Sequence, residues 1–188
     1  MQEYIKNVIS KYQGDGYLEV NIEDRAFTSI GYSGNELETM SRANTYVGSI
    51  RLFEKGFWYF ISFMDNNIEA HFEKLKEMVK SGEGREGSIF PYKKVIDKIK
   101  TQSIIDPLKI SLAEKHDLIK SYNDMIINNN SIQTSRSVYR DVVKKKYFAN
   151  SEQSYIEQEK TFCGFSCAAI AKEGMNVQTA TFSNAGYG

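Results

Sequence analysis

The segment Gly82-Glu-Gly84-Arg-Glu-Gly87 has the spacing G-x-G-x-x-G. That spacing lays backbone amides against a pyrophosphate when a strand leads in and a helix leads out. Here a helical pattern leads in, Pro91 lies ahead, and two glutamates fill positions where they would repel phosphate. The segment reads as a flexible linker. His71 and His116 are the only histidines, each on or beside the apolar stripe of a predicted helix. Neither opens a zincin signature, because His71 is followed by Phe72 and His116 by Asp117. With two His and two Cys in 188 residues, few zinc sites can be built. Packing is the expected role of both histidines, and no catalytic or metal-ligating residue is assigned. Cys163 and Cys167 lie four apart in a predicted strand, which separates them by about 13 Å. A disulfide needs Cα atoms within about 7 Å, so both are expected to be small buried hydrophobes.

Two further runs have chemical content. Lys144-Lys145-Lys146 followed by Tyr147-Phe148 could touch nucleic acid through charge and stacking. Asp141 and Glu152 flank it and the chain is neutral, with 24 basic and 24 acidic residues, so a solvated strand face is the better reading and no nucleic acid is expected. Phe57-Trp58-Tyr59-Phe60-Ile61-Ser62-Phe63 is apolar on both strand faces. It is expected to be core, covered on both sides, with an interface or peptide groove as the alternative.

The elements that position these residues follow from periodicity. Tyr4, Ile5, Val8, Ile9 and Tyr12 mark a helix ended by Gly14 and Gly16. Leu18, Val20 and Ile22 alternate with Glu19, Asn21 and Glu23, predicting a strand to about residue 32. Strands follow over about 36–53 and 57–63, with turns at 33–35 and 54–56. Asp65-Asn66-Asn67 offers a cap for a helix over 68–81. Residues 82–110 read as a connection holding Pro91 and Pro107, with one short helix over 95–100. Ser111-Leu-Ala-Glu114 is a capping box for a helix ended by Asn128–Asn130. Strands then run over about 131–142, 144–149, 154–171 and 175–183.

The two halves, about 1–81 and 111–188, repeat one element order. Arg25, Tyr32, Glu36, Thr45, Gly48 and Gly56 recur in sequence as Arg140, Tyr147, Glu152, Thr161, Gly164 and Gly174. The expected fold is α+β: a large, mainly antiparallel sheet with helices packed on one face, with internal duplication and chance identity both open as the source of the repeat. The polar N-terminus and the want of a run of about 18 apolar residues predict a cytoplasmic chain with no membrane span.

Several stretches together resemble the N-terminal domain of the TldD/PmbA family, zinc metallopeptidases also called modulators of DNA gyrase. Tyr17-Leu-Glu-Val-Asn-Ile-Glu23 is similar to the family's opening strand, and Thr28-Ser29-Ile30 with Gly34-Asn35-Glu36-Leu37-Glu38 to its continuation. Gly48-Ser-Ile-Arg51-Leu52 resembles the "GvRv" strand, Gly56–Ser62 the "G-wGfas" strand, and Asn150-Ser151-Glu152 the "NSeG" turn. Ala169–Gly174 resembles the strand and turn that follow. Tyr46, Tyr59 and Gln153 stand where the family usually has glycine.

The resemblance implies that residues 1–188 form one N-terminal domain serving substrate admission and subunit assembly. It implies zinc, and peptide hydrolysis, in a C-terminal domain outside this chain, so that the chain alone is inactive. The implied partners are a homologous TldD/PmbA-like subunit, as homo- or heterodimer, and unfolded peptide. Trp58, Tyr59 and Phe60 of the aromatic strand, with Arg51 and Asn150, are the candidate peptide or partner contacts. A stand-alone peptide- or protein-binding scaffold is the alternative reading.

Overall fold

The structure is a computed structural model describing residues 1–90 and 93–187; Pro91, Tyr92 and Gly188 lie outside them. Three helices and seven strands follow in the order α1 (Gln2–Ser10), β1 (Tyr17–Ser33), β2 (Glu36–Glu54), β3 (Phe57–Phe63), α2 (Ile68–Ser81), β4 (Ile96–Lys100), α3 (Leu112–Ile127), β5 (Thr134–Asn150), β6 (Tyr155–Glu173) and β7 (Asn176–Tyr187). A single 3-10 turn, Pro107–Lys109, precedes α3. The fold is α+β, as the periodicity predicts.

The strands join in one sheet of order β3-β2-β1-β5-β6-β4, with β7 also on β6. Backbone bonds from Ser151 N to Leu18 O and from Gly34 N to Ser135 O show that β1 and β5 run antiparallel. From that central pair the order reads outward as β1-β2-β3 on one side and β5-β6-β7 on the other, matching the repeat read from the sequence. Gly56 (φ +75°) and Gly174 (φ +57°) stand at the corresponding β2–β3 and β6–β7 turns, in a left-handed conformation that glycine adopts without steric cost.

Two predicted elements differ. Residues 96–100 form a strand rather than a helix, parallel to Tyr155–Glu159 of β6. Lys98 Nζ lies 2.9 Å from Glu157, and Lys100 Nζ 2.8 Å from Glu159. The two-residue spacing of these lysines matches that of the glutamates, and tertiary pairing outweighs the weak helical signal of Ile96 and Ile99. The two strands predicted over 131–149 are one continuous strand, β5.

The caps form as read. Asn67 Oδ1 accepts from Ala70 N at 3.2 Å. Ser111 Oγ accepts from Glu114 N at 3.1 Å while Glu114 Oε2 accepts from Ser111 N at 2.9 Å.

The chain divides into two compact units, each drawing on both sequence halves. The first comprises Met1–Asp24, Thr45–Lys100 and Lys144–Glu159. Its core packs Ile5 and Val8 of α1 and Ile68, Phe72, Leu75 and Val79 of α2 on Leu18, Val20, Ile22, Ile50 and Leu52. The second comprises Arg25–Asn44, Thr101–Val143 and Lys160–Gly188, with Ile30, Tyr32 and Ile119 at its centre. There Asn123 of α3 donates to Gly34 O (2.7 Å) and accepts from the hydroxyls of Ser135 (2.8 Å) and Ser137 (3.0 Å). Among the described residues no helix is long and apolar enough to cross a membrane.

Candidate functional site

In the first unit the even-numbered residues of β1 enter the helix-covered core, so Tyr17, Glu19 and Asn21 point to the opposite face. The β2–β3 register places Arg51 opposite Phe60 and Phe53 opposite Trp58 on that same face. One connected group results. Arg51 Nε donates to Glu19 Oε1 at 2.7 Å, and Tyr17 Oη donates to Glu19 Oε2 at 3.0 Å. Asn21 Nδ2 donates to Glu19 Oε1 at 3.1 Å, and Asn150 Nδ2 donates to Tyr17 Oη at 3.2 Å. The Arg51 guanidinium lies 5.1 Å from the centre of the Trp58 ring. Tyr17 meets the same ring edge-on at 6.0 Å, and Phe53 flanks it at 5.3 Å.

β3 is thus not buried on both faces, as expected from its apolar run. It is a terminal strand of the sheet, with Trp58 46% and Phe60 54% exposed. Only its other face, through Ile61, Phe63 and Tyr59, packs on the core beneath α2. The run is apolar because one face is core while the other is an open aromatic patch that Arg51 and Tyr17 contact through Trp58.

Three of the five candidate residues, Arg51, Trp58 and Phe60, therefore share the open face. Tyr59 lies on the opposite face, half-buried. Asn150 is buried, and both ends of its amide are used, since its Oδ1 accepts from Ser154 N at 2.8 Å. Tyr17 and Glu19 belong to the group and are missed by sequence reasoning, which places a strand's polar phase in solvent. The usable signal was Arg51, a cation on the adjacent strand with a carboxylate in reach.

The other chemical candidates resolve into packing. Arg85 of the glycine-rich segment donates its amide to Lys55 O (3.0 Å) and its Nε to Gly56 O (3.1 Å), and its guanidinium covers the Phe57 ring at 4.4 Å. A Cβ on Gly87 would come within 2.8 Å of Gly56 Cα. The segment is a strap on the β2–β3 turn, not a loose linker, and its glycines permit close approach rather than phosphate contact. His71 stacks on Phe63 at 4.4 Å and bonds Asp65 at 3.0 Å. His116 Nε2 lies 2.6 Å from Tyr32 Oη. Lys144 and Lys146 pair with Glu23, and Lys145 with Glu159. Cys163 is exposed and Cys167 half-buried, both free, because α3 leaves an open cleft of about 760 Å³ lined by Tyr122, Met125, Cys163, Phe165 and Phe182. The expectation of buried thiols is corrected accordingly.

Sequence profiles then decide the family. That of PmbA/TldA metallopeptidase domain 1 matches residues 18–84, and that of the PmbA/TldA metallopeptidase central domain matches residues 105–188. The chain belongs to the TldD/PmbA family. A metalloprotease of Synechocystis sp. is 29% identical over 197 residues, covering 98% of this chain and 41% of that protein. One of Methanocaldococcus jannaschii is 28% identical over 179 residues, covering 92% and 39%. The chain spans about two-fifths of the length of these curated relatives. The fold is similar to that of a candidate modulator of a DNA gyrase from Thermotoga maritima, with a TM-score of 0.77 at 15% identity over 98% of this chain and 43% of that one.

A TldD/PmbA metallopeptidase implies a metal. Among the described residues, no three His, Cys, Asp or Glu side chains converge as a ligand set. Both histidines are engaged with neighbouring side chains, and the cysteines lie on one strand, so the residues present do not fit a zinc ion.

Proposed function

We propose that this chain is the substrate-admitting and assembly portion of a TldD/PmbA-type metallopeptidase, and that zinc-dependent peptide hydrolysis belongs to sequence outside it. The open aromatic face on β3 carries the reading. A terminal strand offers backbone donors and acceptors to an extended peptide, and Trp58 and Phe60 offer exposed rings to its apolar side chains. Arg51 is held by Glu19, which fixes the platform. Family membership supports a peptide as the ligand, and the metallopeptidase description of both matching domains supports hydrolysis as the activity of the whole protein.

Trp58 is the only tryptophan, so selectively excited tryptophan emission reports on this face alone. Titration with a carboxymethylated, unfolded protein should shift that emission saturably. Phe60→Ala should weaken the response by about tenfold, the loss of one aromatic anchor. Unchanged emission throughout the titration would refute the peptide reading. Zinc-supplemented pure chain should cleave no peptide; chelator-sensitive cleavage would refute the division of labour.

A further inference from the structure

The first unit holds a cavity of about 400 Å³ between α1 and the β5–β6 turn. Its floor is buried, with Ala149, Ser154 and Tyr155 each 5% exposed or less. Lys6 of α1 and Lys94, on the run into β4, line it, and among the described residues no Asp or Glu does. Other lysines of this unit meet carboxylates: Lys11 pairs with Glu69, Lys76 with Glu73 and Lys98 with Glu157. Lys6 instead stands over the Tyr155 ring at 5.6 Å, and Lys94 donates to Gln153 Oε1 at 2.9 Å. The lining therefore carries two positive charges and no negative one.

Hydroxyls add to the donors. Ser154 Oγ accepts from Val95 N at 3.0 Å and Ser151 Oγ from Leu18 N at 3.1 Å, which leaves each hydroxyl its own proton to give. Gln153 holds Lys94 from a left-handed backbone, φ +63°, a conformation costly for any residue with a Cβ. Strain of that kind collects where function retains it, and here the strained residue fixes a cation at the cavity. Charge then selects the ligand. A phosphomonoester carries about −2 near neutral pH, which two ammonium groups match, whereas a carboxylate would leave one of them uncompensated. Ile9 and Ile96, also in the lining, offer apolar surface to the rest of a small molecule.

We propose that this cavity binds a small phosphomonoester, with the phosphoryl oxygens on Lys6, Lys94, Ser151 and Ser154 and the apolar body against Ile9 and Ile96. No residue of the aromatic strand β3 lines it, so the proposal stands apart from the peptide reading. Isothermal titration calorimetry of the wild-type chain with phenyl phosphate should show one saturable site. Phenylacetate, the carboxylate counterpart, should bind about tenfold more weakly. Lys6→Gln and Lys94→Gln should each raise the dissociation constant for phenyl phosphate by about tenfold. Lys93→Gln, which removes a neighbouring charge outside the lining, should leave it unchanged. Gln153→Gly should weaken binding by about threefold even as it relieves backbone strain, because Lys94 loses its anchor. Circular dichroism should be unchanged in the lysine variants, whose side chains are exposed. Absence of saturable binding, or binding indifferent to both Lys6→Gln and Lys94→Gln, would overturn the site. Equal affinity for phenylacetate would overturn the choice of phosphate.

Discussion

Lys115 Nζ lies 2.5 Å from Asp141 Oδ2, with both side chains out of solvent at 4% and 0% exposure. The Thr28 hydroxyl stands 3.3 Å from the same ammonium. Removing one partner strands a charge in a dry site. Lys115→Ala and Asp141→Ala should each lower unfolding free energy by ~3–5 kcal/mol, while the pair Lys115→Met with Asp141→Leu should lie close to wild type. Urea titrations of the three variants check both statements.

Gln153 has φ +63°, a left-handed conformation costly for any residue with a Cβ. The "NSeG" pattern that this turn resembles puts glycine there. Gln153→Gly should therefore stabilise the chain by about 1 kcal/mol, despite losing the exposed bond from Lys94 (2.9 Å). Chemical denaturation would register this as a higher midpoint at unchanged slope.

The Tyr46 hydroxyl is buried without a hydrogen-bond partner among the described residues, and burial pushes its pKa up to about 12. The ring packs against the core of the first unit. Tyr46→Phe keeps that packing and removes an unsatisfied group, so it should raise stability by about 1 kcal/mol. A loss of stability in the same assay would mean that the hydroxyl has a partner in solution.

Stability should fall at both ends of the pH scale. The Asn67 amide, then His71, hold the Asp65 carboxyl below its usual 3.8. Ser111 holds Glu114, and Lys98 holds Glu157, below the usual 4.5. A folded-state pKa below the unfolded one stabilises fully above the unfolded value and is lost as pH falls through the folded one. Urea midpoints should therefore be level from neutral to about pH 5 and drop below it. Glu114→Gln should shallow that drop. At the other end, burial raises the hydroxyls of Tyr12, Tyr46 and Tyr155 above 10. Their contribution is complete below pH 10 and disappears as pH climbs toward the folded values, so the midpoint should fall again there.

Much of this architecture was legible in single residues. Alternation along Leu18, Val20 and Ile22 placed β1, and Asn67 and Ser111 marked two helix starts. β4 escaped because its partner lies near Tyr155, far along the chain, and no local pattern signals a parallel pairing. The run around Trp58 reads equally as core or as an interface, because an apolar strand looks the same whether its second face is covered or open. Lys115 carried a readable clue, standing between Leu112 and Ile119 on the stripe of α3. A lysine in that position demands a buried carboxylate, and Asp141 is it.

The outward order of strands from the antiparallel β1/β5 pair bears on how such a sheet could arise. A half-length ancestor of one helix and three strands would have carried β1 as a bare edge. Two copies meeting along that edge would reproduce the centre of the present sheet as a homodimer seam. Fusing their genes end to end turns the seam into an interior ladder, after which each half is free to diverge. Gly56 and Gly174 would then persist because their turns demand a left-handed backbone, while most other identities would fade.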